Sequence, residues 1–287
     1  MVGMLMFGDE RMGSDSKGRH DGRSNEKLRG ITIKAGVQGS ADGSAYIEWG
    51  KNKVMASAYG PRAPMTDEKY HDAKAKVNCT YTMAPFSVSE RKRARRDRRS
   101  TEISKVLSEA LQCSVRAERF PRSVIDVEVL VLDADAGTRC ACLTAASVAL
   151  ADAGIPLYGL VSACSVGKAK GELIVDPDLE EDQKGEADMP VGVLSPSGEI
   201  VLFQMDGLMV KGEIEEALKM AYKACEEVLS LQRDSLVSRF GGQGLSVRRP
   251  AHRRYGEYRS YRMGSARVEP WKEDDTPVWD EDPEGVD

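Results

Sequence analysis

SVIDVEVLVLDADAGTRCACLTAASVALADAG, residues 123–154, decides the fold. Ser123 to Asp135 is β-branched and largely apolar, the composition of a buried strand. From Thr138 to about Ala153 the residues turn small and Ala-rich, and Gly154 and Pro156 close a helix. Between them, Gly137-Thr138-Arg139 sits where the strand hands over to the helix. A helix start offers unpaired backbone N–H groups and the positive end of a dipole. Gly137 lets the backbone come close. A Thr hydroxyl and an Arg fork beside them complete a phosphate-grade site. Taken alone, the same residues also fit an ordinary capped helix start with a surface Arg.

Upstream, ITIKAGV from Ile31, AYIEWG and KVMASAYG form a β-meander with a turn at Gly50-Lys51-Asn52-Lys53. Val77 to Phe86 reads as a further strand. Ile103, Val106, Leu107, Ala110 and Leu111 recur at helical spacing, with Ser100 or Thr101 as N-cap. Downstream, strands are expected near Leu157 to Val166, Glu172 to Val175, Met189 to Leu194 and Glu199 to Met205. A long helix follows from about Glu213 to Arg239. Strands followed by packed helices in both halves indicate an α+β protein with mixed sheets. Residues 1–29 read as a flexible arm whose last part, His20 to Arg29, is able to dock. From Gly241 on, Gly, Arg, Tyr, Pro and acids dominate, and disorder is expected.

The 287 residues carry a formal net charge of −5, which by itself leans against a nucleic-acid partner. The charge is segregated, however. Residues 91–99 read RKRARRDRR, seven basic side chains and one acid. Residues 241–268 carry seven arginines and one acid, and residues 269–287 one lysine and nine acids. Local potential attracts a polyanion, whatever the sum. The arginine run could grip a phosphodiester backbone, serve as a targeting signal or simply be solvated. Arg62, after Tyr59-Gly60-Pro61, would stand at a rim, with Tyr70 or His71 nearby to stack on a base.

Seven carboxylates crowd residues 176–188, among them Asp176, Asp178, Glu181, Asp182 and Asp188. Mutual repulsion makes such groups candidate general acids or Mg²⁺ ligands, although a solvated acidic loop has the same composition. Asp188 precedes a strand, which would hold its carboxylate at a sheet edge. The six cysteines show no pair at zinc spacing and read as core thiols of a reducing cytoplasm. Apolar Met4 to Phe7 is cut off by Asp9 and Glu10, so no signal peptide is expected. No transmembrane run, Walker loop or Ser-hydrolase elbow is present.

His20-Asp21-Gly22-Arg23, Ala41-Asp42-Gly43-Ser44-Ala45, Tyr59-Gly60-Pro61-Arg62, Asp97-Arg98-Arg99-Ser100, Ala134-Asp135-Ala136-Gly137-Thr138-Arg139 and Glu181-Asp182 with Asp188 six residues on resemble the RNase PH family. The likeness runs over about residues 18–240, and is greatest to the catalytic RNase PH-like subunits of archaeal exosomes. It implies an RNase PH-like (ribosomal protein S5 domain 2-like) fold with disordered termini. The core would span residues 30–155 and a C-terminal subdomain residues 156–240, between the arm and a tail at 241–287. It implies a 3′→5′ phosphorolytic exoribonuclease with inorganic phosphate as co-substrate. Gly137, Thr138, Arg139 and Arg99 would hold phosphate. Arg62, Arg95, Arg96, Arg98 and Arg99 would contact RNA. Asp182 and Asp188 would be catalytic, with Asp182 the better acid, and the pair would hold Mg²⁺. The implied partners are RNA, a second, inactive RNase PH-like subunit in a hexameric ring (a trimer of heterodimers) and S1/KH-type RNA-binding caps, all cytoplasmic and away from membranes. A homohexameric RNase PH acting on tRNA 3′ ends, or a non-catalytic RNA-binding ring subunit, are the alternatives. Retention of Arg99, Arg139, Asp182 and Asp188 together argues against the latter. Neutralising Arg91, Lys92, Arg93, Arg95 and Arg96 together is expected to weaken RNA binding at moderate salt in a filter-binding assay; unchanged affinity would exclude the run as an RNA contact.

Overall fold

Alternating apolar residues along the first half of the chain form one five-stranded sheet. In a computed structural model, which describes residues 19–65, 68–91 and 97–241, its strands are β1 (Ile31–Ala35), β2 (Gly43–Trp49), β3 (Asn52–Arg62), β4 (Lys76–Met83) and β5 (Val124–Asp133). Their order is β1-β2-β3-β5-β4, antiparallel except for the β4–β5 pair. Helix α1 (Arg98–Ser114) lies on β4 and buries Ile103, Leu107, Ala110 and Leu111. Because β4 is an edge strand, its outward amides need partners. The polar face of α1 supplies them. The amides of Tyr81, Cys79 and Val77 donate to Ser104 Oγ, Ser108 Oγ and Gln112 Oε1 at 2.9, 2.7 and 2.9 Å.

A second sheet comprises β6 (Val161–Ala169), β7 (Glu172–Val175), β8 (Ala187–Leu194), β9 (Glu199–Phe203) and β10 (Asp206–Gly207). Its order is β10-β8-β6-β7, and β9 also pairs with β8. Helix α2 (Thr138–Asp152) packs against β2, β3 and β5 on one side and β6 and β8 on the other. Twelve of its 15 residues are buried, so it needs apolar or small side chains all round. The alanine-rich sequence meets that need and lets the layers approach. A Cβ at Gly43 would collide with the backbone of Ala149 and Ala153. The long helix α4 (Lys211–Phe240) lies on β6 and β1, and its buried Gln232 donates to the carbonyls of Thr144 and Val161 at 3.1 and 3.0 Å.

Several local expectations need correction. The N-cap of α1 is Asp97 rather than Ser100 or Thr101: its carboxylate accepts from the Ser100 amide at 2.7 Å, and Ser100 Oγ accepts from the Asp97 amide at 2.9 Å. The strand expected from Leu157 starts at Val161, because Leu157 and Tyr158 pair instead with Val115 and Ser114 at the end of α1. The strand expected from Glu199 to Met205 ends at Phe203 as β9, and the separate two-residue β10 begins just after the expected end. The acidic stretch contains a short helix, α3 (Leu179–Lys184), N-capped by Asp178. Five cysteines are buried, but Cys113 is exposed on α1. Arg95, Arg96 and the tail from 242 lie outside the described residues.

The segment before β1 is tied to the second sheet. Arg29 and Asp176 are both buried. Asp176 Oδ2 accepts from the Arg29 amide at 2.8 Å, Arg29 Nε at 3.0 Å and Trp49 Nε1 at 2.9 Å, and its Oδ1 takes a further Arg29 N–H at 2.7 Å. Asp176→Asn removes the nearer of the two buried counter-charges of the guanidinium and leaves it only Asp135, 3.3 Å away, and is expected to destabilise the fold by about 3 kcal/mol in chemical denaturation.

Candidate active site

The turn from β5 into α2 uses two consecutive left-handed residues, Ala136 (φ 55°) and Gly137 (φ 66°). Gly137 is the helix N-cap and has no side chain to occupy the amides behind it. The turn is clamped from both sides. Asn52 Oδ1 accepts from the Asp135 amide and its Nδ2 donates to the Ala136 carbonyl, each at 2.6 Å. Arg29 donates to the Asp135 carbonyl at 2.5 Å. These bonds fix the direction of the α2 N-terminus before any anion arrives.

Thr138 is the first residue of the helix, and its hydroxyl lies 3.1 Å from the hydroxyl of buried Tyr81. Arg139 follows. Its Nε is buried and makes no hydrogen bond among the described residues. A buried donor of this kind at a helix N-terminus, beside a cation, suits an anion.

Asp182 stands on α3 and Asp188 near the start of β8. Desolvation by the surrounding protein pushes the Asp182 carboxyl above its ordinary value; Arg99, Arg139 and Arg29 restrain it and Asp206 adds to it. Burial also raises Asp188, opposed by a hydrogen bond from Ser165 Oγ and by Arg139, and supported by Asp182 and Asp206. Arg99 and Arg139 therefore both act on Asp182, and Arg139 and Asp182 act on Asp188. Arg98 stands exposed beside Arg99 in the first turn of α1.

Arg62 is placed differently. Its guanidinium is held by Asp126 at 2.6 Å and by Glu68 at 2.7 and 3.0 Å. The Glu68 bond raises its pKa most, with Asp126 adding to it against the effect of burial. Tyr70 is exposed, and His71 Nδ1 accepts from the Ala73 amide at 3.1 Å.

Sequence reading missed Asp206. It follows an apolar strand as part of an Asp-Gly pair, which looks like a turn. In the structure Asp206 is the register partner of Asp188. Gly207 (φ 94°) makes that pairing possible, since a Cβ there would meet Ala187 Cα at 2.6 Å. Among the described residues no three His, Cys, Asp or Glu side chains gather closely enough to cage a metal. The donors present, two aspartates of hard oxygen character, fit Mg²⁺, which needs only one or two carboxylates beside water and phosphate.

The profile described as 3′ exoribonuclease family, domain 1, matches residues 27–156, and that for domain 2 matches residues 159–224. The chain is 50% identical over 233 residues to exosome complex component Rrp41 of Methanopyrus kandleri, covering 81% of this chain and 98% of that protein. It is 51% identical over 227 residues to the Pyrococcus furiosus protein of the same name, covering 79% and 91%. Among solved structures, the Archaeoglobus fulgidus exosome with RNA bound to the active site superposes with a TM-score of 0.67 at 19% identity, over 77% of this chain and 93% of that one. Rice Rrp46 does so with 0.68 at 22%, over 76% and 100%. At such identities the superpositions speak for the shared fold. The two profiles, in order and together covering both sheets, show that the chain belongs to the RNase PH family of 3′ exoribonucleases.

Proposed function

We propose that this chain is the catalytic RNase PH-like subunit of an archaeal exosome, and that it shortens RNA from the 3′ end with inorganic phosphate. The observation that carries this reading is the meeting of an anion site and two carboxylates whose pKa values burial raises. The α2 N-terminus, with Gly137, Thr138 and Arg139, offers the anion site, and Arg99, Asp182 and Asp188 act on one another beside it. Phosphorolysis needs both. A phosphate oxygen attacks the phosphorus of the terminal phosphodiester, and the bond from that phosphorus to the preceding 3′-oxygen breaks. The freed oxygen takes a proton from Asp182, and a nucleoside 5′-diphosphate leaves. The reverse reaction adds nucleotides.

Each residue has a defined task. Gly137, Thr138, Arg139 and Arg99 hold the attacking phosphate. Arg98, Arg99, Arg62, Arg95 and Arg96 contact the RNA backbone, with Arg62 exchanging part of its Glu68 and Asp126 pairing for a phosphate. Burial and Asp206 raise the pKa of Asp182, which favours the protonated form a general acid needs. Asp188 shares the charge with it, and the two would hold Mg²⁺, which supplies charge neutralisation on the phosphates when bound. No covalent intermediate is needed.

Sequence likeness to exosome components supports a ring with a second, inactive RNase PH-like subunit, three heterodimers to a ring, carrying S1/KH-type caps. Exposed Ile200, Phe203, Leu208 and Val210 form an apolar stretch suited to such a neighbour. The core ends near residue 155 and the C-terminal subdomain runs from 156 to 240. No described helix is long and apolar enough to cross a membrane, and the reading places the complex in the cytoplasm.

Purified chain with its ring partner is expected to release nucleoside diphosphate from 3′-labelled RNA only when phosphate is supplied. Nucleoside monophosphate released without phosphate would overturn the mechanism. Asp182→Asn is expected to lower turnover by about 10²–10⁴-fold while RNA binding persists. The acid works only while protonated, so turnover falls as pH rises through its pKa. Asp206→Asn removes a negative charge that raises this pKa. The alkaline limb of the turnover profile is therefore expected to move to lower pH, and an unmoved limb would separate Asp206 from the acid.

A further inference from the structure

We infer that Arg19, in the segment before the first strand, is a positioning residue for Asp182 and acts on it through Glu181. The inference rests on the reading of Asp182 as the acid. Helix α3 is only six residues long, which is too short to hold its own shape in water. Something outside it must fix the direction of Asp182.

The Arg19 side chain makes four hydrogen bonds, two to Glu181 on α3 and two to the backbone just before the helix. Nε donates to Glu181 Oε1 at 2.8 Å, and a terminal nitrogen donates to Glu181 Oε2 at 2.5 Å. The other two N–H groups reach the carbonyls of Val175 at 2.7 Å and Asp176 at 2.9 Å. The Arg19 side chain is 2% exposed and that of Glu181 9%, so the fork is a buried, bidentate pair rather than a surface contact. Glu181 immediately precedes Asp182, and its carboxylate also accepts from the Asp178 amide at 3.1 Å, closing the capping box of α3.

A neighbouring contact works on the same helix. His20 Nε2 meets Asp178 Oδ2 at 2.5 Å, and Asp178 is the N-cap. At the other end of α3 there is no room for a side chain, since a Cβ at Gly185 would meet the Glu181 carbonyl at 2.7 Å and the Lys168 carbonyl at 3.2 Å. The helix is thus bolted at its first turn to a segment about 160 residues earlier in the chain. That segment touches neither Arg139 nor Asp188 through any of the bonds above. Its contribution is geometric: it fixes where the acid points, and a misplacement near 1 Å can cost about 10²-fold in rate.

The test uses the full chain with its ring partner and follows nucleoside diphosphate release. Arg19→Met is expected to lower kcat about 10²-fold while KM for RNA and for phosphate stays unchanged. Arg19→Lys is expected to recover part of the loss, since one ammonium can bridge Glu181 but cannot also serve both carbonyls. Glu181→Gln is expected to lower kcat in the same direction, and the Arg19→Met/Glu181→Gln double variant to be no slower than Arg19→Met. Should Arg19→Met fail to fold, Arg19→Lys and Glu181→Gln decide. Wild-type kcat in the folded variants would overturn the inference, as would an unchanged kcat with a raised KM for RNA, which would make Arg19 an RNA contact. Asp182→Asn is run alongside. If it stays active, the reading of Asp182 fails; if it is inactive while Arg19 and Glu181 variants keep full turnover, only the positioning role fails.

Discussion

The pair of Arg29 and Asp176 joins everything that matters in this molecule. Asp176 follows β7 in the second sheet, in a left-handed conformation (φ 54°) that an aspartate tolerates. It faces back into the first sheet, where Arg29 and Trp49 donate to it. Arg29 in turn reaches the Asp135 carbonyl in the turn before α2. A single buried guanidinium thus connects the acidic stretch to the anion-binding turn. Two charges buried in this way stabilise only when their hydrogen bonds are nearly complete. Here the carboxylate accepts four, and Arg29 Nε and both of its terminal nitrogens donate. Misplacing either sheet would break several of these bonds at once.

The same constraint explains why α2 is so poor in large side chains. The helix sits between two sheets that the Arg29–Asp176 bridge ties together. Ala141, Ala145, Ala146 and Ala149 are fully buried there and permit the close spacing. Its N-terminus then emerges at the place where α3 and the start of β8 bring their aspartates. Site and core are therefore not separable, because the helix that fills the space between the layers also presents the amides proposed to hold phosphate.

Local signals in the sequence were legible where the chemistry is local. The turn Gly137-Thr138-Arg139, the buried strand before it and the Ala-rich helix after it all rest on neighbouring residues, and the structure has β5, the turn and α2 there. The basic N-terminal turn of α1 was legible too, but its cap was not. Asp97 looks like the one acid in a basic run, yet it binds the Ser100 amide. The acidic stretch is open in the sequence between a functional cluster and a solvated loop, because its partners lie far away in the chain. Arg19, His20 and Arg29 bond to it from about 150 residues away, and no periodicity in the sequence announces that pairing. Asp206 was invisible for a related reason. Its importance comes from its register with Asp188, a property of β10 and β8 rather than of either segment.

The net charge misleads for the same physical reason that the site can work. Arg99 and Arg139 stabilise the ionised Asp182, while desolvation and Asp206 favour its protonated form. In the proposed reaction an anion entering beside Arg139 offsets the positive potential that restrains the aspartate. The proton on Asp182 is then held more firmly at the moment the attacking phosphate is in place. Binding the nucleophile and arming the acid become one electrostatic event, and that coupling needs both signs of charge within a few ångströms. A chain whose charges sum to −5 can still place a strong, structured field of both signs at one site.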